Sequence, residues 1–98
     1  MISTKQRAYL RSLAAETTPV TQVGKNGVTE PLIKTLSDAL EAHELIKLSI
    51  LETCPSSPRE VSDALCAALS CDPVQVIGRK VSLYRPASDP DKRKIQLK

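Results

Sequence analysis

The stretch Gly24-Lys25-Asn26-Gly27 is the part of this sequence best suited to act on a ligand, and what it suits is holding an anion. Glycine has no Cβ, so a pair of glycines leaves the main chain bare and open to close approach by a bulky chain. Thr29 has the marks of a helix cap, and Glu30 and Pro31 suit a first helical turn. The loop therefore leads into a helix N-terminus, where main-chain N–H groups and the helix dipole favour negative charge. Lys25 adds a cation at the bend. Asn-Gly is also a common turn pair, so on spacing alone these residues read first as a plain strand-to-helix turn. They are not a phosphate loop of the nucleotide-hydrolase kind, which needs Gly-Lys-Ser/Thr after a longer gap.

Other reactive side chains are sparse. His43 is the single histidine and has no ligand set around it, so it reads as a helix-end residue rather than a base. Cys54, Cys66 and Cys71 lack metal spacing and contain no Cys-x-x-Cys. Asp38 and Glu41 read as the solvated face of a helix. No triad spacing is present, so the expectation is a protein without catalysis, metal or cofactor. An odd cysteine count with no apolar leader predicts free thiols in a reducing cytoplasm. No stretch approaches the roughly 20 apolar residues of a membrane span.

Charge is placed unevenly. The chain has 14 Lys and Arg against 11 Asp and Glu, a formal net charge of +3. Lys5, Arg7, Arg11, Lys25 and Lys34 dominate the first third, and Arg79, Lys80, Arg85, Lys92, Arg93, Lys94 and Lys98 dominate the last. The middle is acidic. A fold that joins the two ends would make one basic face for a polyanion.

The elements that would carry these residues are legible from periodicity and caps. Ser3-Thr4-Lys5-Gln6 is a capping box, and Tyr9, Leu10, Leu13 and Ala14 follow at helical spacing, predicting a helix over 4–16 with Tyr9 in the core. Arg7 and Arg11, four apart, would share a solvent-facing stripe. Residues 19–23 suit a strand. A helix over 30–43 presents Leu32, Ile33, Leu36, Ala39 and Leu40 on one face. In 45–51, Ile46, Leu48 and Ile50 alternate with Lys47 and Ser49, the pattern of a strand with one covered face. Ser57-Pro58-Arg59-Glu60 is a second capping box and opens a helix ending near Ser70, with Val61, Ala64, Leu65, Ala68 and Leu69 inward. Asp72-Pro73 punctuates, and 74–77 and 81–84 form a hairpin around Gly78-Arg79. Residues 92–97 could add an edge strand or stay loose, on a basic tail that begins near Ala87.

The order α-β-α-β-α-β-β predicts one two-layer α+β domain over 1–98, with a four-stranded mixed sheet and three helices. Phe and Trp are absent and Tyr occurs only twice. The core must therefore be aliphatic. So few aromatics also leave base-stacking modes of nucleic-acid binding poorly supported.

Taken in order, Val23-Gly24-Lys25-Asn26-Gly27-Val28-Thr29, His43-Glu44-Leu45-Ile46-Lys47, Val74-Gln75-Val76-Ile77-Gly78 and Leu83-Tyr84-Arg85-Pro86 resemble the CRM-domain family, specifically its short stand-alone bacterial members of the YhbY type. The resemblance spans nearly the whole chain. It implies a fold similar to the C-terminal domain of bacterial translation initiation factor three, and RNA as partner. It also implies association with precursors of the large ribosomal subunit, since bacterial members act there, while plant organellar relatives carry the domain in group II intron splicing factors. The family's Gly-x-x-Gly loop, like that with which KH domains clamp a nucleic-acid backbone, falls on Gly24, Lys25, Asn26 and Gly27. Its basic strand position falls on Lys47 and its Tyr-Arg pair on Tyr84 and Arg85. The Pro- and Ser-rich loop 53–58 departs from relatives that carry charge there, and Ser49 stands where a second basic residue is common. The expected RNA-binding set is thus Gly24, Lys25, Asn26, Gly27 and Thr29 with the cations Lys5, Arg7, Arg11, Lys47, Arg79, Lys80 and Arg85. Contacts of this kind position an RNA by shape and carry little base information. A cytoplasmic monomer is expected. The alternative is a protein-interaction adaptor docking on ribosomal or translation proteins, which an exposed apolar patch without a basic face would favour.

Overall fold

The computed structural model describes residues 2–89 and residue 91, so the part of the basic tail beyond Asp91, where a strand over 92–97 is one expectation, lies outside the described residues. The elements are α1 (Thr4–Ala15), β1 (Thr21–Val23), α2 (Glu30–His43), β2 (Leu45–Ile50), α3 (Pro58–Leu69), β3 (Asp72–Ile77) and β4 (Lys80–Tyr84). This is the expected α+β order of three helices and four strands.

Side-chain caps set where the helices begin. Ser3 Oγ accepts from the Gln6 N–H at 3.1 Å while Gln6 Oε1 accepts from the Ser3 N–H at 2.9 Å. Ser57 and Glu60 repeat the exchange at α3. The Ser57 main-chain N–H holds the Glu60 carboxyl below the usual carboxylate range, keeping an anion at a helix N-terminus where the dipole favours it. Thr29 caps α2 through the Leu32 N–H at 3.3 Å.

The sheet order is β1-β2-β4-β3, with β1 parallel to β2 and the other pairs antiparallel. Alternation along the strands divides the side chains between two faces. Ile46, Leu48 and Ile50 of β2, Val81 and Leu83 of β4 and Val23 of β1 pack against Leu36 and Leu40 of α2 and Val61, Leu65 and Leu69 of α3. That is the main core, and it is aliphatic as expected.

The layering differs from a two-layer stack. Leu45, Val74 and Tyr84 point to the other face, where Leu10 and Ala14 of α1 cover them with Ile2. So α1 forms a partial third layer over one end of the sheet. Tyr9 is not core: it is 45% exposed, because the stripe turned to the sheet is the one through Leu10 and Ala14. Ala64 and Ala68 are exposed too, and Ser62 is buried in their stead.

β3 starts at Asp72 rather than Val74. It is an edge strand, where a proline removes no ladder donor that is needed, and its register slips between Pro73 and Gln75. The hairpin loop has Gly78 at φ +54, the sign that a tight strand connection demands of its first residue.

Leu48 is fully buried in the main core. Truncation to Ala should cost about 2–5 kcal/mol, read as a lowered midpoint in urea melts with an unchanged slope.

Candidate nucleic-acid interface

The open half of the sheet face beside α1 is the ground on which the site stands. The register places Gln22, Lys47, Ser49, Lys80, Ser82, Gln75 and Ile77 on that face. Its far end, where β1 and β2 finish and β4 begins, carries the glycine loop.

Gly24 and Gly27 bracket a tight turn closed by the Gly27 N–H on Gly24 O at 2.9 Å, which puts Lys25 and Asn26 exposed at its tip. Gly27 has φ +63, so the turn itself demands a glycine there. Gly24 is different. A Cβ on it would meet only ordinary contacts, Leu51 Cδ1 at 3.5 Å and Thr53 Oγ1 at 3.8 Å, at no special φ. Turn chemistry therefore accounts for Gly27 but not for Gly24. The loop opens on a cleft of about 330 Å³ lined by Gln22 to Gly27, Thr29 and Leu32.

The N-terminus of α2 offers less than the sequence implied. Pro31 has no N–H, Leu32 gives its own to Thr29, and Glu30 brings a carboxylate into the first turn. Thr29 serves first as the cap. The anion-holding capacity of this end rests mainly on the turn and on neighbouring cations.

Those cations are held in place by neutral acceptors. Arg79 donates to Leu51 O at 3.4 Å, and Leu51 is the residue against which Gly24 sits. Lys80 Nζ lies 2.6 Å from Ser49 Oγ. The serine that stands at a common basic position therefore positions a lysine from the next strand. Lys47 Nζ reaches Ala14 O at the C-terminal end of α1, 3.3 Å away, where the helix dipole favours a cation.

Arg7 and Arg11 share one side of α1, Arg11 exposed and Arg7 partly so, but solvent is not their only partner. Arg7 Nε donates to Pro73 O at 3.2 Å and Arg11 Nε to Val74 O at 3.3 Å, which ties α1 to the edge of β3. Lys5 is exposed on the side of α1 away from Leu10 and Ala14.

Arg85 belongs to the other side of the molecule. Its guanidinium donates to Leu69 O at 3.2 Å and to Ser37 O at 3.0 Å, bridging α3 and α2. The structure thus places Lys47 and Lys80 on the open sheet face, Lys25 and Arg79 in the turns at its loop end and Arg7 and Arg11 along the β3 edge, and separates Lys5 and Arg85 from them.

Two residues escaped the sequence reading. Arg59, in the first turn of α3, joins Arg7 and Arg11 around a cleft at the β3 edge. A cation at a helix N-terminus opposes the dipole, and that mismatch was the available signal. Glu44 is fully buried at φ +66; its carbonyl accepts from the Arg85 N–H at 2.9 Å and its carboxylate from the Ala87 N–H at 3.0 Å. Nothing in its local sequence marks it as buried.

Neither Cys66 nor Cys71 is activated. Burial raises Cys66, and burial together with the neighbouring Cys66 pushes Cys71 up to about 12, so both stay protonated at neutral pH. Among the described residues no group of three or more His, Cys, Asp or Glu is placed to hold a metal, and no helix is long and apolar enough to cross a membrane.

The family model for the CRS1/YhbY (CRM) domain matches residues 2–85. The chain belongs to that family. This CRM domain is 42% identical over 89 residues to the probable RNA-binding protein YqeI of Bacillus subtilis, covering 91% of this chain and 93% of that one. It is 35% identical over 96 residues to an RNA-binding protein of Haemophilus influenzae, covering 98% and 94%. The solution structure of SAV1595 from Staphylococcus aureus, a hypothetical protein proposed to bind RNA, superposes with a TM-score of 0.79 at 36% identity, covering 98% of this chain and all of that one.

The bonds of Arg85 give this CRM domain a testable division between frame and interface. Replacing Arg85 by Ala should lower stability by about 1.5–3 kcal/mol, the range for hydrogen bonds to a charged group, as followed by thermal or urea unfolding.

Proposed function

We propose that this CRM domain binds structured RNA by its phosphate backbone, with the Gly24–Gly27 turn as the close-approach point and Lys25, Arg79, Lys80 and Lys47 as the surrounding positive field. The observation that carries the reading is Gly24. It is bare where the turn does not require it, it opens on a cleft, and it adjoins the residue that anchors Arg79. The RNA-binding relatives of Bacillus subtilis and Haemophilus influenzae support the same partner. Backbone contacts of this kind fix register and orientation without reading bases.

We extend the proposal, from the family resemblance, to precursor RNA of the large ribosomal subunit, bound by a cytoplasmic monomer that assists assembly without catalysis. The adaptor alternative needs an apolar docking face. The exposed large apolar side chains among the described residues are Tyr9, Val20, Leu51 and Ile77, each from a different segment.

Lys25→Asp combined with Asn26→Asp should weaken binding to a structured RNA at least tenfold in fluorescence anisotropy while the melting temperature holds. Retained affinity in that double variant removes the turn from the interface. With about four phosphate contacts, wild-type affinity should fall about a hundredfold between about 50 and 200 mM salt. A flat response contradicts backbone binding. Crosslinking in cells followed by RNA sequencing should enrich precursor over mature ribosomal RNA; equal recovery of the two sinks the precursor assignment.

A further inference from the structure

A second cleft, of about 370 Å³, runs along the outer edge of β3 between α1 and α3. Arg7 and Arg11 reach it from α1 and Arg59 from α3, and Pro73 to Ile77 form its floor. Among the described residues no Asp or Glu lines it. An exposed edge strand ordinarily invites another strand to pair with it. Here the edge acceptors at Pro73 and Val74 are already taken by the Nε atoms of Arg7 and Arg11. A peptide strand continuing the ladder there would have to share those acceptors with the two guanidinium groups.

What remains is a surface of donors. Each guanidinium has five N–H groups, and Arg7 and Arg11 each give only the one on Nε to the strand. Their terminal nitrogens and the whole of Arg59 are left for a ligand that only accepts. Planar guanidinium forks match the oxygens of a phosphate better than a point charge does.

We infer that the β3-edge cleft of Arg7, Arg11 and Arg59 is a second phosphate site, which holds a further stretch of the RNA backbone that the glycine loop grips. This rests on the RNA-binding reading above and extends it. The β1 and β3 edges lie three strand spacings apart, about 14 Å. Lys47 and Lys80 stand on the two strands between them. An RNA bound at both edges therefore crosses the open half of the sheet face rather than touching one loop.

Arg59 is the residue to test, because it is exposed and its side chain makes no hydrogen bond to the rest of the described chain, whereas Arg7 and Arg11 also hold α1 in place. The probe is a fluorescein-labelled RNA hairpin of roughly 16 base pairs, long enough to present two successive minor grooves, titrated with the full chain. Arg59→Gln should weaken binding three- to tenfold and reduce the magnitude of the log–log salt slope by about 0.7–0.9, one phosphate's worth, with an unchanged melting temperature. Its effect should multiply with that of Lys25→Gln, since the two sites touch different phosphates. Unchanged affinity and slope in Arg59→Gln, on an RNA that wild type binds and the loop variant does not, overturns the second site and leaves the RNA reading standing. No binding by wild type overturns both. A glutamate-rich peptide that binds as tightly as the RNA, and loses binding with Arg59→Gln, overturns the phosphate assignment in favour of an acidic protein partner.

Discussion

The pleat of β2 sends Ile46, Leu48 and Ile50 into the main core and Leu45, Lys47 and Ser49 to the opposite side of the sheet. β2 pairs with both β1 and β4, so its register governs theirs. A slip of one residue would drive a lysine into an aliphatic core and put three large apolar side chains in water, which makes the register strongly specified. Through it, Gln22 is set beside Ser49 and Lys80 opposite Ser49. The polar face that the proposal uses is thus the other side of the same alternation that builds the core.

α1 decides how much of that face is open. It covers the end marked by Leu45, Val74 and Tyr84 and stops there. Its contacts are modest in area: a few apolar side chains, plus three cations donating to carbonyls at its rim and its end. A helix lying fully across the sheet would have buried Lys47 and Lys80. Lying over one end, it leaves Gln22, Ile77 and Lys80 exposed around the buried Ser49 and Ser82, and adds two arginines along the β3 edge.

Much of this was legible in the residues. Caps at Ser3, Thr29 and Ser57 gave the helix starts because each couples a specific side chain to a specific N–H. The alternation in 45–50 showed which residues of β2 are inside. What periodicity could not supply was depth and direction at long range. Tyr9 sits on a helical stripe next to the buried one, and a shift of a single residue in how α1 rolls on the sheet separates the two. Arg85 and Arg7 are alike in the sequence, each a cation near an element boundary. One bridges α2 and α3 beneath the sheet and the other grips an edge strand, a difference set by contacts 48 and 66 residues apart in the chain. Glu44 is hidden for the same reason, since its partners Arg85 and Ala87 are distant, whereas Arg59 is marked only by a cation standing at a helix N-terminus.

The acceptors chosen for the cations bear on whether this face is built to meet an anion. Arg7, Arg11, Lys47 and Arg79 donate to main-chain carbonyls, and Lys80 to a serine hydroxyl. A carboxylate partner would fix a side chain equally well but would cancel its charge. A neutral acceptor fixes the side chain and leaves the charge in place, so part of the side-chain entropy that binding would otherwise cost is lost on folding instead. A merely solvated set of lysines and arginines has no reason to be ordered in this way. Of the carboxylates that accept main-chain N–H groups, Glu60 takes its own from Ser57 at the start of α3, and Glu41 and Glu44 take theirs from 87–89, the segment that leaves the sheet beyond β4. Among the described residues, cations ordered by neutral partners make a positive field that is fixed in shape and keeps its charge, which is what recognition of a backbone by shape requires.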